Sequence, residues 1–312
     1  MKTVGIIGGA GFIGSYNTKK FLENGYKVKV SATDLSNKEK YAHLSSLKNA
    51  ENLELVQMNV EDKVSLGNFL KGCNIVVHGG TPFQLDVKDP KVELFDPTIE
   101  GTKNFLELAK ETPEIEQVIF IASVAAYNTD FPMLPAGKKE GDQITESDAP
   151  HWSNKSHPYA QAKYVANEVV KNFMTANPDL PFEITTVSPV GVMGKSLSNR
   201  QDSTSTGIQY LFKNKIAPNP FIQMLYDMDI SWALIDVEDV AEAIYKIVNS
   251  TNTKGKNYLL SSENYRISDV TLMLNGHEPL AKPVIVYNCD MAIKDFDMKF
   301  KPAKASLEAY NN

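Results

Sequence analysis

Four glycines, Gly8, Gly9, Gly11 and Gly14, fall within seven positions of the stretch VGIIGGAGFIGS near the start of the chain. Glycine loses more backbone freedom on folding than any other residue. A chain that orders several together is making a tight turn or a close approach. The run TVGII before them reads as a strand. SYNTKKFLENG after them reads as a helix, with Phe21 and Leu22 inward and Gly25 as its C-terminal stop. KVKVSA then reads as a second strand, so the glycines sit inside a strand–helix–strand unit. Residues 9–14 satisfy GxGxxG, and Gly8, Gly11 and Gly14 satisfy GxxGxxG. Either pattern alone is weak. At the mouth of such a unit it has a mechanism: the first glycines turn the chain, Gly11 lets a pyrophosphate approach the backbone, and Gly14 lets helix and strand pack. The helix N-terminus then offers free N–H groups and partial positive charge to the anion. A dinucleotide is the ligand this arrangement suits.

The same rhythm continues. LELVQM, NIVVHG, QVIFIAS and EITTVS are short runs rich in β-branched residues, separated by helical stretches that include PTIEGTKNFLELAKE and YAQAKYVANEVVKNFMTAN. Strands alternating with helices predict an α/β fold, a doubly wound parallel sheet covered on both faces. Beyond about residue 188 the rhythm loosens. KSLSNRQDSTST reads as a polar loop, PNPFIQMLYDMDISW as turns with aromatics, DVEDVAEAIYKIVNS as an amphipathic helix and the tail as a small mixed lobe. This predicts a dinucleotide-binding domain over 1–188 and a mainly substrate-binding lobe over 189–312, with some return to the first core at about 232–250.

A net charge of −6 leaves no basic excess for a nucleic-acid partner. Two cysteines and five histidines without ligand spacing predict neither a disulfide framework nor a metal site. The apolar run after Met1 is too short and glycine-broken for a signal peptide or a membrane span, so a cytoplasmic protein is expected.

HPYAQAK sets Tyr159 and Lys163 four apart on one helix face. An ammonium beside a phenol favours the phenolate, which predicts a Tyr159 pKa below the usual value of about 10. Such a tyrosine exchanges protons with a substrate oxygen. Most YxxxK pairs merely decorate a solvated helix face. Here the pair follows Ser123, placed where QVIFIAS ends. In a doubly wound sheet the carboxyl ends of the strands form the ligand crevice.

The chain resembles the extended short-chain dehydrogenases/reductases, in the NAD-dependent epimerase/dehydratase superfamily. Within them it is similar to the dihydroflavonol reductase, cinnamoyl-CoA reductase and aldehyde/ketone reductase branch. The resemblance covers most of the chain. It is carried by GGAGFIGS, VVHGGTPF, DPTIEGTKNFLELA, IASVAAYN, HPYAQAKYVANE, VSPVGVMG and WALIDVEDVAEAI, in the family's order. It implies a Rossmann-type fold and a catalytic triad of Ser123, Tyr159 and Lys163. It implies NAD(P)(H) as cofactor, held by Gly8, Gly11 and Gly14 with the backbone of Phe12 and Ile13. Asn59 and Val60 would flank the adenine, and Gly79, Gly80 and Thr81 the ribose. Tyr159 and Lys163 would also meet the nicotinamide ribose, and Pro189 and Val190 the nicotinamide amide.

NAD and NADP both stay open. Branch members that use NADP carry an arginine where this chain has Thr33, which favours NAD, while the family favours NADP. Asp34 either reads the ribose 2′-hydroxyl or serves the turn, and Lys38 and Lys40 either meet a 2′-phosphate or face solvent. Phe83, Tyr127 and Phe131 are the candidate substrate wall, suited to a hydrophobic or aromatic carbonyl compound. Arg200 and Arg266 are the only arginines, too few for the diphosphate clamp of a nucleotide-sugar epimerase or dehydratase. That enzyme class and a non-catalytic NAD(P)-sensing protein are the alternatives to an oxidoreductase. Monomer and homodimer are both compatible with the sequence.

Overall fold

The computed structural model describes residues 1–79, 89–200 and 204–311. Among the described residues there are ten strands: β1 (Thr3–Ile7), β2 (Lys27–Ala32), β3 (Leu53–Gln57), β4 (Ile75–His78), β5 (Gln117–Ile121), β6 (Glu183–Pro189), β7 (Gly191–Met193), β8 (Ser231–Asp236), β9 (Asn257–Leu260) and β10 (Glu263–Arg266). Seven form one parallel sheet in the order β3-β2-β1-β4-β5-β6-β9. Its central strands are buried almost end to end, which is why they read as apolar runs rather than as alternations. The expected doubly wound Rossmann-type sheet is the fold observed. Strand order reverses between β1 and β4, and a ligand crevice opens beyond the carboxyl ends of strands at such a point.

The α-helices are α1 (Phe12–Glu23), α2 (Ala42–Ser45), α3 (Lys63–Leu70), α4 (Asp96–Lys110), α5 (Pro158–Ala176), α6 (Thr204–Asn214), α7 (Pro220–Asp227), α8 (Val237–Val248), α9 (Ile267–Leu274), α10 (Asp290–Phe296) and α11 (Ala303–Ala309). On one face of the sheet α1 packs against α8, and Phe21, Leu22, Val240 and Ile244 share a core. On the other, α3, α4 and α5 bury Phe69, Phe105 and Val170. A third core, with Phe212, Leu225, Val270 and Leu307, fills the later part of the chain around β10-β8-β7. The stretch expected as turns with aromatics contains helix α7 and the start of strand β8. Asn219 caps α7 by accepting from the Ile222 N–H at 3.0 Å, and Pro220 opens it. The β9 strand, absent from the sequence reading, returns the chain to the edge of the large sheet beside β6.

Candidate active site

At the end of β1 the chain turns through Gly8, whose φ of +80° is left-handed. Gly11 N–H donates to Gly8 O at 2.9 Å, and Gly8 N–H donates to Ser31 Oγ at 3.0 Å, tying the turn to β2. Helix α1 begins at once, with Gly11 as an N-cap that offers no side-chain acceptor and with no acidic residue in the first turn. Its first N–H groups and its dipole therefore face the crevice. Gly79, just after β4, donates to Ile7 O at 3.0 Å and lines the opposite lip. A backbone cradle at a helix N-terminus, with no carboxylate lining it among the described residues, fits a dinucleotide diphosphate.

The cradle is one end of a cleft of about 620 Å³. Phe12, Ile13, Thr33, Val60, Pro189 and Val190 line it, as the resemblance implied. Asn59 does not: its side chain accepts from Glu61 N–H at 3.0 Å, and Met58 takes the place beside Val60. Asp34 is a turn residue. Its carboxylate accepts from Ser36 N–H and Oγ at 2.9 and 2.6 Å, bonds that hold its pKa down, and it stands outside the cleft lining. Lys38 is exposed and also lies outside, whereas Lys40 reaches in and donates to Thr33 Oγ1 at 2.8 Å. Gly80, Thr81 and Phe83 fall outside the described residues.

Deeper in, Ser123 follows β5 by two residues and starts a short 3-10 turn, accepting from Ala125 N–H at 3.3 Å. Tyr159 is the second residue of α5, and its phenol is hydrogen-bonded to the Ser123 hydroxyl. His157 caps that helix through Nδ1, accepting from Tyr159 N–H at 3.2 Å, and so fixes where the tyrosine enters the cleft. One turn on, Lys163 is 6% exposed, with its ammonium 5.9 Å from the centre of the Tyr159 ring. The three residues read from sequence thus converge.

The expected electrostatics are corrected. Burial raises the Tyr159 phenol above its usual value, opposed by the Ser123 hydrogen bond. Burial also pulls Lys163 down, from 10.5 to about 8. Desolvation penalises phenolate and ammonium alike, and at this separation it outweighs their attraction.

Burying the Lys163 ammonium has a consequence for stability. Between pH about 8 and 10.5 the unfolded chain holds a proton that the folded chain has released, so stability rises with pH across that window. Below it the full penalty is present, on the order of 3 kcal/mol. Lys163→Met is therefore expected to raise the urea midpoint at pH 7, with the gain fading toward pH 10.5. A midpoint lowered at pH 7 would contradict this.

The far wall is apolar. Phe131 meets Trp232 at 5.3 Å between ring centres, and Phe221 faces His157 at 6.0 Å, with Ile208 and Met193 beside them. Phe131 is where it was expected. Tyr127 is not: it is 8% exposed, packs in the core and donates its hydroxyl to Asn257 O at 2.7 Å. The 3-10 turn over Val124–Ala126 ends on Tyr127, whose side chain runs inward to the start of β9. Phe221 and Trp232 line the cleft without having been singled out, and Arg200, noted only as one of two arginines, lines it too. For Phe221 the Asn-Pro helix start was the available signal.

Among the described residues no group of His, Cys, Asp and Glu is placed to hold a metal ion, and no helix is long and apolar enough to cross a membrane.

Residues 4–261 match the model of the NAD dependent epimerase/dehydratase family. Cinnamoyl-CoA reductase CAD2 of Medicago truncatula is 28% identical over 258 residues, 82% of this chain and 74% of that protein. An anthocyanidin reductase of Vitis vinifera is 26% identical over 290 residues, 90% of this chain and 82% of that one. In fold, the yeast methylglyoxal/isovaleraldehyde reductase Gre2, solved with NADPH, superposes with a TM-score of 0.79 at 22% identity, covering 98% of this chain and 96% of that one. Gre2 of Candida albicans with NADPH gives 0.80 at 22% identity, covering 100% and 98%.

Proposed function

Because the chain belongs to the NAD dependent epimerase/dehydratase family and is an NAD(P)-dependent oxidoreductase, we propose that it reduces a flat hydrophobic aldehyde or ketone, or oxidises the matching alcohol. The observation that carries this reading is the Ser123–Tyr159 pair. It opens into one cleft between the glycine turn and a wall of Phe131, Phe221 and Trp232. The named substrates of the relatives, cinnamoyl-CoA and anthocyanidins, support a carbonyl or conjugated compound of this kind.

Gly8, Gly11 and Gly14 with the start of α1 would hold the coenzyme diphosphate, and Pro189 and Val190 the nicotinamide end. When bound, the coenzyme supplies or accepts the hydride. The protein's own part is proton transfer and orientation. Tyr159 Oη gives its proton to the substrate oxygen as negative charge develops there. Ser123 Oγ hydrogen-bonds that same oxygen and fixes its direction. Burial keeps the Tyr159 proton in place until then, the state a reductase needs. Lys163, behind the ring, stabilises the phenolate left after transfer and orients the nicotinamide ribose. The apolar wall stacks on the substrate and excludes water. We place the coenzyme half in residues 1–188 and the substrate-facing lobe in 189–312, with α8 returning to pack on α1.

A panel of aromatic and aliphatic aldehydes and ketones, followed by nicotinamide absorbance, tests the reading. Steady turnover is expected with aromatic or branched carbonyls, and weaker turnover with small polar ones. Turnover only of nucleotide sugars, without net coenzyme consumption, would replace this reading with an epimerase.

A further inference from the structure

The cleft and the third core share a partition. Met193, Ile208 and Trp232 belong to that core and also line the cleft, and each is less than a tenth exposed. Trp232 is the largest of the three. It stands on β8 between two other rings. Phe131, which lines the cleft, lies 5.3 Å from it between ring centres, and Phe212, fully buried in the core, also lies at 5.3 Å.

The indole sits where a neighbouring side chain would otherwise be. A Cβ on Gly191 would fall 2.4 Å from Trp232 Nε1, so the ring occupies space that any other residue at 191 would claim. Gly191 follows Pro189 and Val190, the pair proposed above for the nicotinamide end, and lines the cleft with them. Trp232 therefore stands at the reacting end of the cleft, away from the diphosphate cradle.

A further observation concerns its polar atom. The indole N–H is buried and meets no acceptor among the described residues. A buried donor left unpaired costs free energy, and a phenylalanine would fill the same core without that cost. The ring is held by packing, not by a hydrogen bond. What the larger ring adds is bulk in the partition.

We infer that Trp232 is the specificity-determining residue of this cleft. Its indole closes the substrate end, admitting carbonyl compounds that carry a single planar ring or a short branched chain and excluding those lengthened by a second ring. The inference rests on the oxidoreductase reading given above. A wall backed by a close-packed core cannot yield to an oversized substrate without strain. Cutting the indole back would open the cleft toward Phe212 and make room for the longer compound.

The test compares kcat/KM for benzaldehyde and for its para-phenyl derivative in the parent, Trp232→Phe and Trp232→Leu proteins. The parent should favour benzaldehyde by about tenfold or more, and Trp232→Leu should abolish or reverse that preference. Trp232→Phe should fall between, shifting the ratio by at least about threefold, and it decides the matter if the leucine variant does not fold. The ratio is the readout because general damage weakens both substrates together. A second arm needs no turnover. Trp152 and Trp232 are the only tryptophans, and Trp152 is exposed, stacks on Tyr164 at 5.0 Å and is not part of the cleft lining. In a Trp152→Phe protein all indole emission comes from Trp232. Benzamide, an unreactive mimic of the aldehyde, should quench or shift that emission with NAD or NADP present. A preference ratio unchanged in both Trp232 variants overturns the inference, and so does an emission that benzamide leaves unmoved. If the parent turned over neither aldehyde, the functional reading would fail instead, and the emission would decide the inference by itself.

Discussion

Replacing Tyr159 by phenylalanine is expected to lower kcat for carbonyl reduction by about a thousandfold, within the usual reach of general acid–base catalysis. Only the hydroxyl is lost. The ring, its place on α5 and the contact with the Lys163 ammonium are kept, so coenzyme affinity and thermal midpoint should stay close to those of the parent. A fall in kcat with unchanged coenzyme binding is the signature of a group that works on the substrate oxygen. The pH profile sharpens the test. Burial holds the Tyr159 proton on, so the parent should keep its reductive rate well into alkaline solution, while the residual rate of the variant has no tyrosine to titrate. If the phenylalanine variant kept a tenth of the parent rate, the proton would have to come from elsewhere, and the proposed role of this pair would be wrong.

The second large effect is structural. A methyl group at position 14 would lie 2.1 Å from Gly8 O and 2.7 Å from Gly9 Cα. Both neighbours are backbone in the tied turn, so neither can rotate away. Gly14→Ala is expected to destabilise the fold by ~3 kcal/mol or more, by overpacking of a rigid contact, and to abolish coenzyme binding in whatever folds. Gly11→Ala is the matched control, since its nearest neighbour would stand at 3.3 Å and demands only a small shift. That variant should fold and bind coenzyme more weakly. Denaturation midpoints of the two variants separate these outcomes. A Gly14→Ala protein with a parental midpoint would show that the helix does not sit on the turn as described.

Most of the large sheet was legible in the sequence, because strands buried on both faces leave continuous apolar runs and the helices between them leave periodic ones. Ser123 and Tyr159 at its crevice, with Lys163 buried behind the tyrosine, were legible too: four residues apart on a helix means one face, and the end of a strand means the crevice. What could not be read was the balance of forces on them. Spacing brings Lys163 to Tyr159, but only packing reveals that both are desolvated, and that reversed the expected direction for the phenol. Tyr127 and Phe131 looked equivalent on the page, yet one is anchored to Asn257 and the other faces Trp232. The later part of the chain was harder still. Its sheet joins three-to-six-residue strands from 191–193, 231–236 and 263–266, too short to leave a period and too distant to suggest one another. Arg200 was noticed only as one of two arginines, because the contact that carries its segment over α1 joins residues far apart in the sequence.

The position of β9 bears on how this protein can be made. A chain released only as far as residue 188 has an open β6 edge, with donors and acceptors facing outward, and an α1 surface without α8 to cover it. The ribosome must deliver some seventy further residues before residue 260 closes that edge. During that interval the nascent polypeptide is exposed to mispairing at β6, until residues 257–260 take their place beside it.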